Sequence, residues 1–328
     1  MVHFKAFRLF QASQGDAPEG RFVTMTENEL TPGSVLIKNA FSSINYKDAL
    51  AAAGKNKIIR EFPRIGGIDV TGEVVRSSDP RFAAGDAVVV HGFGIGVDLD
   101  GGHAEYTRVS GDFVLKIPEG LSLFDAAAIG VAGYTAALAL HAMEHNGLVP
   151  QNGPVLVTGA TGGVAGMAID MLATRGYSVT AMSGKAAATE YLQKIGARNV
   201  IAPEEADAAG KPLEAPRWAG VVDSIGGGVL SWILRTMRPE GVVTSFGNAG
   251  GAAFDGSVLP FILRGVKLLG INGNSPMALR RDIWARIATD YRPRQIQTIA
   301  RTIAFEELPD AMSEMLARRT IGRTVVRF

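Results

Sequence analysis

The chain contains no cysteine. Disulfides, iron–sulfur clusters, thiolate zinc sites and a cysteine nucleophile are therefore excluded. A cysteine-free chain fits a reducing compartment, and a cytoplasmic location is expected. An excess of charge of one sign is missing too. Lys plus Arg is 33 and Asp plus Glu is 32, a formal net charge of +1. That balance gives no support for a general binder of nucleic acid or membrane surfaces. No signal peptide is expected, because Lys5 and Arg8 interrupt the apolar residues of MVHFKAFRLF, which alternate as in a strand. Long apolar runs are scarce. The stretch Ala126 to Met143 has no Asp, Glu, Lys or Arg, but it is mostly Ala and Gly, with Tyr134, Thr135 and His141 inside. A spanning helix needs about 20 strongly apolar residues, so a buried helix pair packed through small residues is the better reading.

The 328 residues suffice for two domains of ordinary size. Their first third reads as short strands at 4–10, 34–41, 69–75, 86–92, 104–109 and 114–118, separated by turn residues such as DPRFAAGD. Such irregularly spaced segments suggest a small, partly open barrel. Ser122 and Asp125 have capping-box spacing and start a helix. Strand and helix patterns then alternate: strands at 155–159, 177–182, 199–202, 219–225 and 241–247, with helices after 163, around 189–197 and around 229–238. The run FILRGVKLLGI (261–271) reads as another strand. A helix over 306–318 and a final strand GRTVVRF close the chain. Alternating βα units imply a doubly wound parallel sheet, an α/β fold.

The stretch VLVTGATGGVAG (155–166) is a strand running into a glycine loop that opens a helix. Free N–H groups and the helix dipole favour an anion there. Ala160, Gly163 and Gly166 form a looser spacing than the strict dinucleotide fingerprint, and the context of a following strand is what strengthens it. Thr161, Gly162, Gly163 and Val164 are the expected pyrophosphate contacts, and a tight turn without ligand is the competing reading. The second strand ends in Ser183, Gly184 and Lys185, with no carboxylate where an NAD enzyme places one for the ribose. A hydroxyl, an N–H and a lysine suit a 2′-phosphate, so NADP(H) is expected; a solvated turn lysine is the alternative. Phe246 and Gly247, at the end of another strand, are expected along the cofactor.

Several motifs together resemble one family. SSINYKDALAAAGKNKIIREFP (42–63), GIDVTGEV (67–74), DPRFAAGDAV (79–88), TGATGGVA (158–165), SGKAAATEYLQKIGA (183–197), PFILRGVKLLGI (260–271) and GRTVV (322–326) are similar to zinc-free medium-chain dehydrogenase/reductases. Within that superfamily they resemble the branch of NADPH-dependent acrylyl-CoA reductases and quinone oxidoreductase-like proteins, over essentially the whole chain. The resemblance implies a Rossmann-type domain at 123–302 and a β-rich GroES-like catalytic domain built from 1–122 with 303–328. It also implies reduction of acrylyl-CoA to propionyl-CoA with NADPH, no metal, and a homodimer paired through 261–271.

Zinc members carry a cysteine after the N-terminal strands and a His-Glu pair in the next motif. Here Tyr46 stands near the first position, and Ile68 and Asp69 at the second. His141 and His145 flank Glu144 at helical spacing but not in the order of a known zinc helix, so no metal site is expected. An activated C=C bond is then an easier hydride acceptor than a ketone, with charge collecting on the thioester oxygen. INYKD (44–48) matches the family's active-site motif, which implies Tyr46 as hydrogen-bond donor or proton source and, with Asn45, as a cofactor contact; the alternative is a hydroxyl that caps a buried loop. Asn45 is expected to orient the nicotinamide or ribose. Asp69 is a candidate relay or a local cap, and Arg323 a candidate contact or an exposed strand arginine. Lys55, Lys57, Arg60 and Arg64 form a basic cluster that would screen the phosphates of a CoA substrate, or is a solvated loop. The stretches 91–106 and 271–282 depart from the usual family form and are expected to bear on acyl-chain preference. Quinones or other α,β-unsaturated carbonyls are the alternative acceptors, and a non-catalytic NADPH-binding protein is the reading from another class.

Overall fold

The computed structural model describes residues 2–12, 17–206 and 210–328. In chain order the strands and helices begin β1 (His3–Phe10), β2 (Glu19–Thr26), β3 (Val35–Ile44), α1 (Tyr46–Ala52), β4 (Arg64–Ile65), β5 (Asp69–Ser77), β6 (Ala87–His91), β7 (Tyr106–Val109), β8 (Leu115–Lys116) and α2 (Leu123–His145). They continue with β9 (Val155–Val157), α3 (Gly163–Thr174), β10 (Val179–Met182), α4 (Thr189–Lys194), β11 (Asn199–Ile201), β12 (Trp218–Asp223), α5 (Gly227–Thr236) and β13 (Met237–Ser245). The last are α6 (Leu259–Arg264), β14 (Lys267–Gly270), α7 (Met277–Ala288), α8 (Ile296–Ile299), β15 (Ala300–Ala304), α9 (Leu308–Leu316) and β16 (Arg323–Arg327).

Contacts divide the chain into two units: 1–132 with 274–288 and 300–328, and 133–273 with 289–299. The segment 274–288, which the sequence reading assigns to 123–302, thus belongs by its contacts to the first unit.

The first unit is β-rich. A three-stranded antiparallel sheet runs β2-β1-β4, and a seven-stranded sheet runs β15-β16-β3-β5-β6-β8 with β7 also on β3. Alternation drives this unit: Val35 and Ile37, Val70 and Val74, and Val88 and Val90 turn into one buried cluster. The consequence for function lies in register. Thr324 of β16 pairs with Ile44 of β3, and Phe41 of β3 pairs with Thr71 of β5. The end of β3 and the starts of β5 and β16 therefore lie side by side, bringing Ser43, Asp69 and Arg323 together from distant parts of the chain.

The second unit holds a six-stranded sheet, entirely parallel, in the order β11-β10-β9-β12-β13-β14. Numbered within the sheet this is 3-2-1-4-5-6, the doubly wound order whose crevice opens between the first and fourth strands. The run 261–271 is not one strand. Pro260 sits in the first turn of α6 and Gly265, at φ 62°, ends it, so a short helix precedes β14.

α2 begins as the sequence predicts. Asp125 Oδ2 accepts from Ser122 N at 3.1 Å and Ser122 Oγ accepts from Asp125 N at 3.0 Å. Among the described residues it is the one helix long and apolar enough to span a membrane, yet 78% of its most apolar window is buried in the protein. It is broken at Gly130, whose φ of 47° and ψ of −154° are open only to glycine.

Candidate active site

In the second unit the glycine loop leaves β9 through Gly159, at φ 60°. A Cβ there would lie 2.4 Å from Ser224 Oγ. Thr158 Oγ1 donates to Asp223 Oδ1 at 2.8 Å, and Ser224 Oγ donates to Thr158 O at 2.9 Å. These bonds tie the ends of β9 and β12 together at the switch point. Gly162 N donates to Gly159 O at 2.8 Å and closes the turn just before α3. Thr161, Gly163 and Val164 are half-buried and Gly162 is exposed, so the loop's face is open. Gly166 packs closely, since a Cβ there would sit 3.1 Å from Tyr191 Oη of α4, which would have to give by a few tenths of an ångström. Gly247 is more confined, since its Cβ would lie 2.2 Å from Ser224 O, and Phe246 N donates to Asp223 O at 3.2 Å. The turn carries glycine at 159, 162 and 163 and opens a helix, the arrangement a pyrophosphate needs.

At the end of β10, Ser183 Oγ accepts from Lys185 N at 3.1 Å. The turn thus places a hydroxyl, a glycine and an ammonium group next to each other. Burial pushes the Lys185 ammonium below its ordinary value.

In the first unit the central feature is a buried ion pair. Asp69 is 1% exposed and Arg323 3%. Arg323 Nη2 lies 3.3 Å from Asp69 Oδ2. Asp69 Oδ2 also accepts from Ser43 Oγ at 2.5 Å and from Asn45 Nδ2 at 2.8 Å, while Oδ1 accepts from Val131 N at 2.8 Å. Arg323 donates through Nε to Ala128 O at 3.0 Å, through Nη1 to Ile44 O at 3.2 Å and Asn45 Oδ1 at 2.9 Å, and through Nη2 to Ser43 Oγ at 2.6 Å. Burial pushes the guanidinium down from its ordinary value, and Asp69 opposes that shift. A buried pair persists only when its remaining lone pairs and protons are also bonded, as they are here. The amide of Asn45 is fixed by the same two residues, so the group expected to orient the cofactor is held from within the unit.

Asn45 caps α1, and Tyr46 is its first residue, 50% exposed. Asp48 is buried one turn on. Its Oδ2 accepts from Asn45 N at 2.8 Å and its Oδ1 from Ile68 N at 3.0 Å, which fastens α1 to the strand that begins at Asp69. Burial pushes the Asp48 carboxyl up to about 7, against those two bonds and with help from the Asp69 charge. The sequence reading passes over Asp48, although Asn45 and Asp48 have cap spacing. Ser43 and Gly130 carry no local signal of their role.

The basic cluster divides. Lys55, Lys57 and Arg60 are exposed. Arg64 is buried, 3.7 Å from Asp100 Oδ1, and leaves the set. The two stretches that depart from the usual family form meet each other. Phe93 N donates to Asn274 Oδ1 at 3.1 Å, and Arg280 donates to Asn274 Oδ1 and His91 O while its guanidinium lies 4.2 Å from the centre of the Phe93 ring. His103 is buried against Gly66 and Gly67, and burial pulls it down to about 4, so it is neutral at pH 7. His141 and His145 stack at 6.2 Å, and no group of three metal-ligating side chains occurs among the described residues.

Residues 31–119 match the alcohol dehydrogenase GroES-like domain family, and residues 163–289 match the zinc-binding dehydrogenase family. The chain is 45% identical to "Putative quinone oxidoreductase YhfP" of Bacillus subtilis (strain 168), over 97% of this chain and 99% of that protein. A solved structure of YhfP with NAD bound superposes with a TM-score of 0.97 over 100% of both chains. Acrylyl-CoA reductase AcuI of Ruegeria pomeroyi is 40% identical over 98% of both. The yhdH oxidoreductase of Salmonella enterica, solved in complex with NADP, is 40% identical, with a TM-score of 0.95 over 99% of both chains.

Proposed function

This chain belongs to the medium-chain dehydrogenase/reductase superfamily, in the branch of acrylyl-CoA reductases and quinone oxidoreductase-like proteins, and on that premise we propose that it is a cytoplasmic NADPH-dependent reductase of acrylyl-CoA. The observation that carries the reading is the pairing of two features. One is the glycine turn at Gly159–Gly163, with Ser183 and Lys185 at the next strand end. The other is an exposed Tyr46 held on a buried, fully bonded frame.

Thr161 to Val164 would hold the pyrophosphate through backbone N–H groups, Phe246 and Gly247 would lie along the cofactor, and Ser183, Gly184 and Lys185 would take the 2′-phosphate. NADPH supplies the hydride that reduces the C=C bond. Tyr46 donates a hydrogen bond to the thioester oxygen as negative charge collects there. One well-placed donor of this kind contributes about 3–4 kcal/mol to the transition state. Asn45, its amide set by Asp69 and Arg323, fixes where Tyr46 leaves the sheet. The α-carbon then takes a proton supplied by solvent water, and the product is a saturated acyl-CoA. Lys55, Lys57 and Arg60 screen the phosphates of the CoA moiety.

The subunits pair through α6 and the free edge of β14. Ile262 and Leu263 are 68% and 64% exposed on α6, beside the last strand of the parallel sheet.

The deciding assay measures initial rates of NADPH oxidation with acrylyl-CoA, crotonyl-CoA and a benzoquinone side by side. The highest kcat/KM is expected with acrylyl-CoA. A kcat/KM for the quinone well above that for acrylyl-CoA would overturn the reading in favour of a quinone reductase. NADPH binding without turnover of any acceptor would point to a sensing role.

A further inference from the structure

The break in α2 leaves two sets of helix-end groups. The half that ends before Gly130 turns its last carbonyls toward the break, and the half that starts at Val131 turns its first N–H groups toward it. Arg323, a cation, donates to Ala128 O of the first half. Asp69, an anion, accepts from Val131 N of the second. Each charge faces the end of the helix dipole that favours it. Gly130 leaves the room: a Cβ there would stand 2.5 Å from Asp69 Oδ2 and 2.9 Å from Arg323 Nη2. The other atoms of the same two side chains grip Ser43, Ile44 and Asn45, the residues that lead into Tyr46. One buried ion pair therefore fills a helix break and sets the end of β3 and the cap of α1 before Tyr46 at once.

We propose that Asp69 and Arg323 are positioning residues, which latch the junction of β3 and α1 at Ser43–Tyr46 onto the break in α2 and serve reduction through the placing of Tyr46 rather than by touching the acceptor. The catalytic half of this inference rests on the reductase reading above; the latch does not.

The test uses the full-length protein carrying Asp69→Asn with Arg323→Met, which removes both charges together and leaves no buried charge unpaired. Asp69→Glu and Arg323→Lys serve as conservative variants, and they are read alone if the double variant does not fold. Hydrogen exchange is followed in the segments 43–48 and 128–132. The latch predicts that both gain exchange together, in the double variant or in either conservative one. Gain in one segment alone, or in neither, overturns it. At saturating NADPH and acceptor, kcat is expected to fall at least tenfold, with the Kd for NADPH within about threefold of wild type and partial recovery in Arg323→Lys. Wild-type kcat in a folded double variant overturns the positioning role. A wild-type protein inactive on every acceptor would defeat the reductase reading, and the exchange result would still decide the latch.

Discussion

Asp48 Oδ2 lies 2.8 Å from the backbone N–H of Asn45, three residues back, while its Oδ1 takes the N–H of Ile68. A carboxylate so placed sets both the start of α1 and its distance from Asp69. Its burial has a cost, since the carboxyl is pushed from 3.8 up to about 7. The folded protein then binds one more proton at Asp48 than the unfolded chain does between pH 4 and 7. Stability must fall through that window as pH rises, by about 1.4 kcal/mol per pH unit for this group alone. Other buried groups titrate there too. His103 is pulled down to about 4 and adds a slope of opposite sign below its ordinary value. The difference between wild type and Asp48→Asn isolates Asp48. Denaturant unfolding at half-unit steps from pH 4 to 7 should show wild type losing stability relative to the variant as pH rises. A constant difference would mean that Asp48 is ionised throughout the window.

Tyr46 stands at the exposed end of this frame. If its hydroxyl stabilises charge on the thioester oxygen, Tyr46→Phe should lower kcat by about two orders of magnitude while leaving NADPH affinity unchanged. If the hydroxyl only caps a loop, stability should fall and kcat should not. Steady-state kinetics and a melting curve on the same preparation separate the two.

Much of the frame was legible before the fold. The βα alternation after residue 155 carries the parallel order, because its central strands β9, β10 and β12 are buried on both faces and read as short apolar runs. The glycine loop and the turn after β13 were legible for the same reason that they work: Gly159 in the one and Gly247 in the other have no room for a side chain. Three kinds of information were hidden. β2 reads poorly because most of its residues are half-buried or exposed and no clean alternation forms. The run 261–271 is apolar enough for a strand, but Pro260 and Gly265 mark a helix of six residues that the periodicity cannot show. The latch joins positions 43, 69, 130 and 323: the register of β16, β3 and β5 brings 43, 69 and 323 together, and the break in α2 at Gly130 packs on them. Spacing along the chain carries no trace of it, and Asp69 and Arg323 look like isolated polar residues at strand starts.

Lys185 tests the cofactor. A charge-assisted hydrogen bond to a 2′-phosphate contributes about 1.5–3 kcal/mol, which is roughly ten- to a hundredfold. Lys185→Ala should therefore reduce kcat/KM for NADPH by that factor and leave kcat/KM for NADH close to its starting value. Equal losses with both would place Lys185 in the fold of the turn rather than at the phosphate.

The exposed cations before β4 test the acyl carrier. Lys55 and Lys57 sit in a loop where Asn56 and Lys57 both take positive φ, 61° and 48°, a conformation costly for such residues. Replacing both lysines by Gln should raise KM for acrylyl-CoA severalfold and leave KM for a small benzoquinone unchanged. The loss for the thioester should shrink as ionic strength rises, because exposed charges are screened. Equal effects on both acceptors, or no salt dependence, would remove the CoA role from this loop.

The assembly is tested on α6. Val258, Ile262 and Leu263 are each at least 64% exposed, and β14, which follows α6 in the chain, is the last strand of its sheet among the described residues. An apolar helix face next to a free strand edge is what a second copy of the chain can cover by symmetric pairing. Ile262→Asp with Leu263→Asp places two carboxylates on that face and leaves the buried Pro260 of the same helix untouched. Light scattering after gel filtration should give a dimer for wild type and a monomer for the variant, with little change in melting temperature for the isolated subunit beyond the loss of the interface. A wild-type monomer at micromolar concentration, or a variant that remains dimeric, would show that the subunits do not meet through α6 and β14.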